Sequence, residues 1–207
     1  MIFSYHTIQA PGNGTFKEKG SKFYAFAFPV KNENEIKIHL RALRKEYFDA
    51  THHCYAFMLG SDKKNFRAAD DGEPNHSAGT PILNQIKSRE LTNVLVVVVR
   101  YFGGTKLGVS GLVTAYRAAA EEALKNTVTI EVEITSHFHL EFEYDLQPEV
   151  MKLLKEFNLS LLAQNYSLKC ELDVECCLRD EANVINRLKL WESMKLPIKW
   201  KSIGTDQ

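Results

Sequence analysis

NVLVVVVRYFGGTKLGVSGLVTAYRAAAEEALK, residues 93–125, is the stretch on which the fold turns. Residues 93–101 form a β-branched, apolar run without polar alternation, the pattern of a central strand buried on both faces. Residues 102–111 carry four glycines. Residues 112–125 are alanine-rich and repeat Leu112, Ala115, Ala119 and Leu124 at apolar positions, which predicts a helix. The order is strand, glycine loop, helix, and it anchors the first domain.

Upstream, residues 23–30 (FYAFAFPV) read as an aromatic strand ending at a proline. Residues 33–48 place Ile36, Ile38, Leu40, Leu43 and Phe48 at roughly helical spacing, and residues 52–59 form a further strand candidate. The polar run 60–79 reads as a long loop, and loops of that length usually carry function. Thr80-Pro81 suits a helix start, because threonine caps and proline is tolerated in the first turn. Ile82, Leu83 and Ile86 follow on one face. From Thr127 on, residues 128–133 and 136–144 alternate apolar and polar side chains, as half-buried strands do. A helix over 147–157, strands over 159–165 and 167–178, a helix over 181–192 and a strand over 198–203 complete a βαββαβ order, the ferredoxin-like arrangement. The expected domains are 1–133 and 134–207.

A chain of 207 residues exceeds a typical single domain of about 100 to 150 residues, which also points to two cores. With 44% hydrophobic and 25% charged residues, the composition is that of a packed globular protein. Lysine plus arginine balance aspartate plus glutamate at 26 each, which argues against coating a duplex by bulk charge. No DNA specificity is evident, and any RNA contact must be local. The longest apolar run, residues 94–99, is far short of the roughly 20 residues that span a bilayer, so no membrane association is expected. The opening MIFSYHTIQAPGNG lacks a secretory leader, which predicts a cytoplasmic protein. Cys54, Cys170, Cys176 and Cys177 show neither zinc-ligand spacing nor a disulfide framework and read as reduced, partly buried thiols. No metal and no cofactor is expected.

Four constellations carry candidate chemistry. The strongest runs from Arg100 through Tyr101, Phe102, Gly103, Gly104, Thr105, Lys106, Gly108, Ser110 and Gly111. Its glycines free backbone amides to approach an anion, and the following helix adds its positive N-terminal end. Arg100 and Lys106 would supply charge there, and Thr105 or Ser110 a hydroxyl; the spacing matches neither the Walker loop nor the dinucleotide fingerprint. A glycine turn needed only for close strand-to-helix packing explains the same residues. The second gathers Asp70, Asp71, Gly72, Glu73, Pro74 and His76. Carboxylates so placed can bind Mg²⁺ or move protons, while Asp, Gly and Pro are also what a sharp surface turn contains. In the third, alternation along residues 52–57 sends His52 and Cys54 to one face and His53 and Tyr55 to the other, which divides an apparent metal or nucleophile site. In the fourth, Lys17, Lys19, Ser21 and Lys22 are interleaved with Phe23 and Tyr24, a mixture suited to single-stranded RNA or to the start of a solvated strand.

These residues resemble the YigZ/IMPACT family. The resemblance rests on Lys19-Gly20-Ser21-Lys22-Phe23, on His52 with Tyr55-Ala56-Phe57, and on Asp70-Asp71-Gly72-Glu73-Pro74 with Ala78-Gly79 and Pro81. Above all it rests on Arg100-Tyr101-Phe102-Gly103-Gly104 with Lys106-Leu107-Gly108, Gly111-Leu112-Val113 and Ala115-Tyr116. It implies an α+β fold: a two-layer N-terminal domain like the second domain of ribosomal protein S5 and domain IV of elongation factor G, followed by a ferredoxin-like domain similar to domain V of that factor. Eukaryotic members of the family regulate translation through protein contacts, and bacterial members are labelled translation regulators without an established reaction. One departure stands out: the family commonly has Gly-Thr-Ala-Gly after the Glu-Pro turn, and here His76 replaces the first of those glycines, where its side chain is expected to fill part of a cleft or add hydrogen bonds.

The leading expectation is therefore a non-enzymatic translation regulator that contacts RNA or a ribosome-associated partner through the glycine-rich surface and Lys22. One alternative is an enzyme acting on a phosphorylated small molecule or nucleotide, with glycine-loop amides on the phosphate and Asp70, Asp71 or Glu73 on Mg²⁺ or a proton; several kinases share the S5-like fold. That alternative requires Asp70 and Asp71 to converge with the glycine loop. A second alternative is a protein-binding adaptor.

Overall fold

The computed structural model describes residues 2–206. In chain order its elements are β1 (Ser4–Ile8), β2 (Gly12–Glu18), β3 (Ser21–Pro29), α1 (Glu33–Glu46), β4 (His52–Leu59), β5 (Asn65–Ala69), α2 (Gly79–Ser88), β6 (Val94–Tyr101), α3 (Gly108–Lys125), β7 (Thr129–Glu133), β8 (Thr135–Phe142), α4 (Gln147–Glu156), β9 (Ser160–Tyr166), β10 (Cys170–Cys177), α5 (Glu181–Ser193) and β11 (Ile198–Asp206). The chain divides into two units: Tyr5–Val132, and the residues before Tyr5 together with those from Glu133 on. The fold is α+β, as the family resemblance implies.

In the first unit β6 lies in the middle of a five-stranded antiparallel sheet ordered β2-β3-β6-β4-β5. Val94 through Val99 are all fully buried, and the reason is that both faces are covered. Val94, Val96 and Val98 join Phe23, Ala25 and Ala27 of β3 and Cys54, Ala56 and Met58 of β4 in a core closed by α2 and α3. Leu95, Val97 and Val99 face the other way, where Ile36 and Leu43 of α1 cover them. An unbroken β-branched run is what such a strand needs, since both of its faces exclude water. A smaller pair, β1 with β7, completes the unit.

Several local expectations change. The polar run 60–79 is not all loop, for it contains β5, an edge strand on β4 whose residues are mostly exposed. The strand is only five residues long, its exposed residues show no buried alternation, and the Asp, Gly, Asn and Pro on either side of it make the segment read as loop. Within α1, Ile36 and Leu43 are buried but Ile38 is 62% exposed, and the helix ends at Glu46, short of Phe48, which is 82% exposed, so the apolar stripe is narrower and shorter than the spacing suggests. Thr80 does not cap α2, which begins at Gly79. Gly12 and Gly14 mark close packing that the sequence reading did not use. A Cβ on Gly14 would lie 2.5 Å from the Ala123 backbone nitrogen, so β2 lies directly on α3.

In the second unit the sheet order is β11-β8-β10-β9, all antiparallel. Together with the βαββαβ sequence order this is the ferredoxin-like topology. Alternation sends Phe138, Leu140, Phe142, Leu172 and Val174 to a core with Val150 and Leu153 of α4 and Val184, Leu188 and Trp191 of α5. The cysteines follow the same logic: Cys170 and Cys176 are buried, Cys177 is half-buried, and all four in the chain are free thiols.

Candidate functional site

Arg100 and Tyr101 end β6, and because strand neighbours point to opposite faces they enter different surroundings. Arg100 is 5% exposed. Its Nη1 donates to Glu73 Oε1 at 2.5 Å and its Nη2 lies 3.4 Å from Ser21 Oγ. Its guanidinium stands 5.5 Å from the ring centre of Phe23 and 5.7 Å from that of Phe102. Glu73 Oε1 also accepts from the Tyr116 hydroxyl at 2.8 Å, and His52 Nε2 lies 3.8 Å away. A carboxylate removed from water is tolerated because a cation and a hydroxyl replace its hydration. Arg100 is thus not the free cation that the glycine-loop reading assigns it; it is half of a buried ion pair. Cys54 Sγ lies 3.3 Å from the Tyr116 hydroxyl and 3.0 Å from the Asp70 carbonyl. Burial pushes the thiol well above its ordinary pKa, so the nucleophile reading of Cys54 falls away. Alternation does separate the two histidines: His53 is buried on the α1 side, where desolvation lowers its pKa.

The acidic turn is engaged internally. Asp70 Oδ1 accepts from the amides of Ala78 and Gly79 at 3.0 and 2.8 Å, and Oδ2 from that of His76 at 2.8 Å. Asp70 therefore caps α2 from a distance, the role expected of Thr80. Burial acts to raise its pKa, but the three amides prevail and hold it below the ordinary carboxylate range. Asp71 Oδ2 accepts from the His53 amide at 2.7 Å and Oδ1 pairs with Arg44 at 3.2 Å, while its carbonyl meets His52 Nδ1 at 2.8 Å. Gly72 at φ +89° carries the turn. His76 sits at φ +63°, a conformation that favours glycine, and its Nδ1 lies 3.1 Å from Thr80 Oγ1. Among the described residues no group of three or more His, Cys, Asp or Glu is placed to hold a metal ion.

The glycine loop is held at its base and open beyond it. The Gly103 amide donates to Ser21 Oγ at 3.2 Å and the Phe102 amide to Thr51 Oγ1 at 3.2 Å. A Cβ on Gly103 would come within 1.9 Å of the Gly20 backbone, so glycine is required there for the β2–β3 turn to lie against the loop. Gly104 and Gly108 take φ +83° and +73° with open space around them. Thr105, Lys106, Val109 and Ser110 are exposed, and Phe102 is 49% exposed. α3 starts at Gly108, earlier than expected, and no side chain caps it, which leaves its first amides to solvent or a ligand.

Three depressions surround this loop. One of about 260 Å³ is lined by Glu73, Pro74, Arg100, Phe102, Lys106, Leu107, Gly108, Val109 and Leu112, and here the two sequence motifs meet. Asp70, Asp71, Gly72, His76 and His52 are not part of its lining; of the two expectations for His76, the added hydrogen bond is the one observed, to Thr80. The second, about 270 Å³, is lined by Phe16, Glu18, Lys19, Leu107, Ser110, Gly111, Thr114 and Ala115. The third, about 460 Å³, holds Gly20, Lys22, Tyr24, Tyr47, Tyr101 and Phe102. Lys22 pairs with Tyr101 across β3 and β6, and Phe23 with Arg100, so Lys22 and Tyr101 belong to the sheet face opposite Arg100. The Tyr101 hydroxyl donates to Asp49 Oδ1 at 2.7 Å, which raises the phenol to about 12. Sequence reasoning passed over Tyr47 and gave Leu107, Val109 and the buried Tyr116 no role beyond their place in the motifs; the strand reading of residues 93–101, in which neighbours point to opposite faces, was the signal that Arg100 and Tyr101 part company.

The fold and the motifs together define an α+β protein whose larger unit carries both the acidic turn and the glycine loop. The model of the Impact N-terminal domain matches residues 19–124. The chain is 32% identical to the IMPACT family member YvyE of Bacillus subtilis over 173 residues, 84% of this chain and 80% of that one. It is 36% identical over 96 residues to Protein IMPACT of Oryctolagus cuniculus, 44% of this chain and 30% of that one. A crystal structure titled as that of a hypothetical protein covers 98% of both chains with a TM-score of 0.72 and 27% identity. The chain belongs to the IMPACT family. No helix among the described residues is long and apolar enough to cross a membrane.

Proposed function

We propose that the protein regulates translation by binding single-stranded RNA, free or within a ribosome-associated partner, at the pocket where the Glu73-Pro74 turn meets the glycine loop. The observation that supports this is the grouping at the pocket's rim of an exposed ring, Phe102, an exposed cation, Lys106, and the uncapped first turn of α3. Aromatic rings receive unstacked bases, and lysines and helix N-terminal amides receive phosphates. Arg100 contributes by holding Phe102 and Glu73 in place.

The test is binding of a short single-stranded RNA over a range of salt concentrations by wild type and Lys106→Ala. Affinity should fall with salt, and the substitution should lower it several-fold and reduce the salt slope by about 1. Equal, salt-independent binding by the two proteins would overturn the reading. A protein-binding adaptor is the second reading, favoured by the apolar share of the rim, Pro74, Leu107, Val109 and Leu112. Phosphate chemistry on Asp70 and Asp71 lacks the convergence it requires, since both carboxylates are engaged by backbone amides and Asp71 also by Arg44.

A further inference from the structure

We infer that the depression on the opposite face of the sheet, lined by Lys22, Tyr24, Tyr47, Tyr101 and Phe102, is a second site, one that takes a single nucleotide with its base among the rings and its phosphate on Lys22. At about 460 Å³ it is the roomiest of the three around the loop. Its walls are flat and set at angles to one another: the Tyr24 ring lies 6.1 Å from Tyr47 at 26° and 6.1 Å from Tyr101 at 84°. Tyr24 thus stacks on Tyr47 and meets Tyr101 edge-on, and a planar base would extend this cluster by the same two geometries that aromatic rings favour. The Tyr101 hydroxyl is committed to Asp49, so this residue contributes its ring rather than a free donor. Lys22 is exposed and makes no ion pair among the described residues.

The occupant follows from that inventory. An aliphatic ligand would make no use of crossed aromatic planes. An inorganic anion would find a single lysine. A base joined to one phosphate uses both features, and stacking tolerates any base. The inference rests on the RNA-binding reading only for the source of the nucleotide, because Phe102 lines both depressions and a strand crossing the loop would reach them in turn.

The test is calorimetric titration of wild type, Lys22→Ala, Tyr24→Leu and Tyr24→Phe with adenosine, adenosine monophosphate and a single-stranded hexanucleotide. Wild type should prefer the monophosphate over adenosine by about tenfold, and Lys22→Ala should erase that preference. Tyr24→Leu should weaken both by five-fold or more, the size of one lost stacking contact, while Tyr24→Phe, which keeps the ring, should bind as wild type. A hexanucleotide bound more tightly than the monophosphate and weakened by the same variants assigns the site to an RNA residue. A monophosphate bound at least as tightly assigns it to a free nucleotide. Monophosphate binding that is absent, or unchanged in Lys22→Ala and Tyr24→Leu, overturns the inference. RNA binding lost in Lys106→Ala but intact in Lys22→Ala and Tyr24→Leu would reject this site while leaving the cleft reading in place.

Discussion

The acidic turn, Asp70 to Gly79, and the glycine loop, Phe102 to Gly111, border the same pocket, yet they use their polar groups in opposite ways. In the turn, Asp70 is bound by three amides, Asp71 by an amide and Arg44, and Glu73 by Arg100 and Tyr116. In the loop, Thr105, Lys106 and Ser110 are exposed and α3 begins without a side-chain cap. The contrast teaches that residue types with the richest chemistry can be scaffold, and that the plainer loop beside them is the part left exposed. Charge count alone would rank the two regions the other way.

Breaking the buried pair gives the largest expected effect. Glu73→Ala leaves the guanidinium of Arg100 uncompensated inside the protein and should cost about 3–5 kcal/mol in urea denaturation; a loss below about 1 kcal/mol would remove Glu73 from the scaffold. Asp70→Asn comes next, at about 2 kcal/mol, because charge-assisted bonds to the start of α2 weaken together. That loss has a pH signature. The native carboxyl is held below its ordinary range, so its stabilisation is complete above the unfolded value of about 3.9 and disappears as pH falls through the native one. The gap between wild type and Asp70→Asn should be constant above about pH 5 and close below about pH 4, and a gap independent of pH would contradict the assignment. His76→Gly should raise stability by about 1 kcal/mol, since glycine adopts φ +63° without the penalty a side chain carries; thermal unfolding reads it. Lys106→Ala should change stability by less than about 0.5 kcal/mol, as an exposed residue outside any network does.

Much of this was legible in the sequence. The β-branched run gave away the central strand because burial on both faces leaves no polar position, and the alternation after Thr127 marked the ferredoxin-like sheet for the opposite reason. β5 was hidden because it is a short edge strand, exposed along most of its length and so without a buried alternation, between stretches of turn-forming residues. Arg100 and the two aspartates were legible as chemistry but not as structure: whether a charged side chain meets solvent or a partner depends on contacts far apart in sequence, such as Arg100 with Glu73 or Asp70 with Gly79. Lys22 was placed with Arg100 by motif order, and only the pairing of Lys22 with Tyr101 sets it on the other face. The glycine at Gly103 was visible as a residue type, while the reason for it, the backbone of Gly20 against it, was not.

The most direct test of the division between scaffold and contact surface is sedimentation of the protein through a sucrose gradient of its native lysate, with and without ribonuclease, beside the Phe102→Ala/Lys106→Ala double mutant. Ribonuclease-sensitive migration of the wild type with ribosomal or other RNA particles, lost in a mutant that unfolds at the wild-type temperature, is the predicted result. Identical migration of the folded mutant and the wild type would contradict the account.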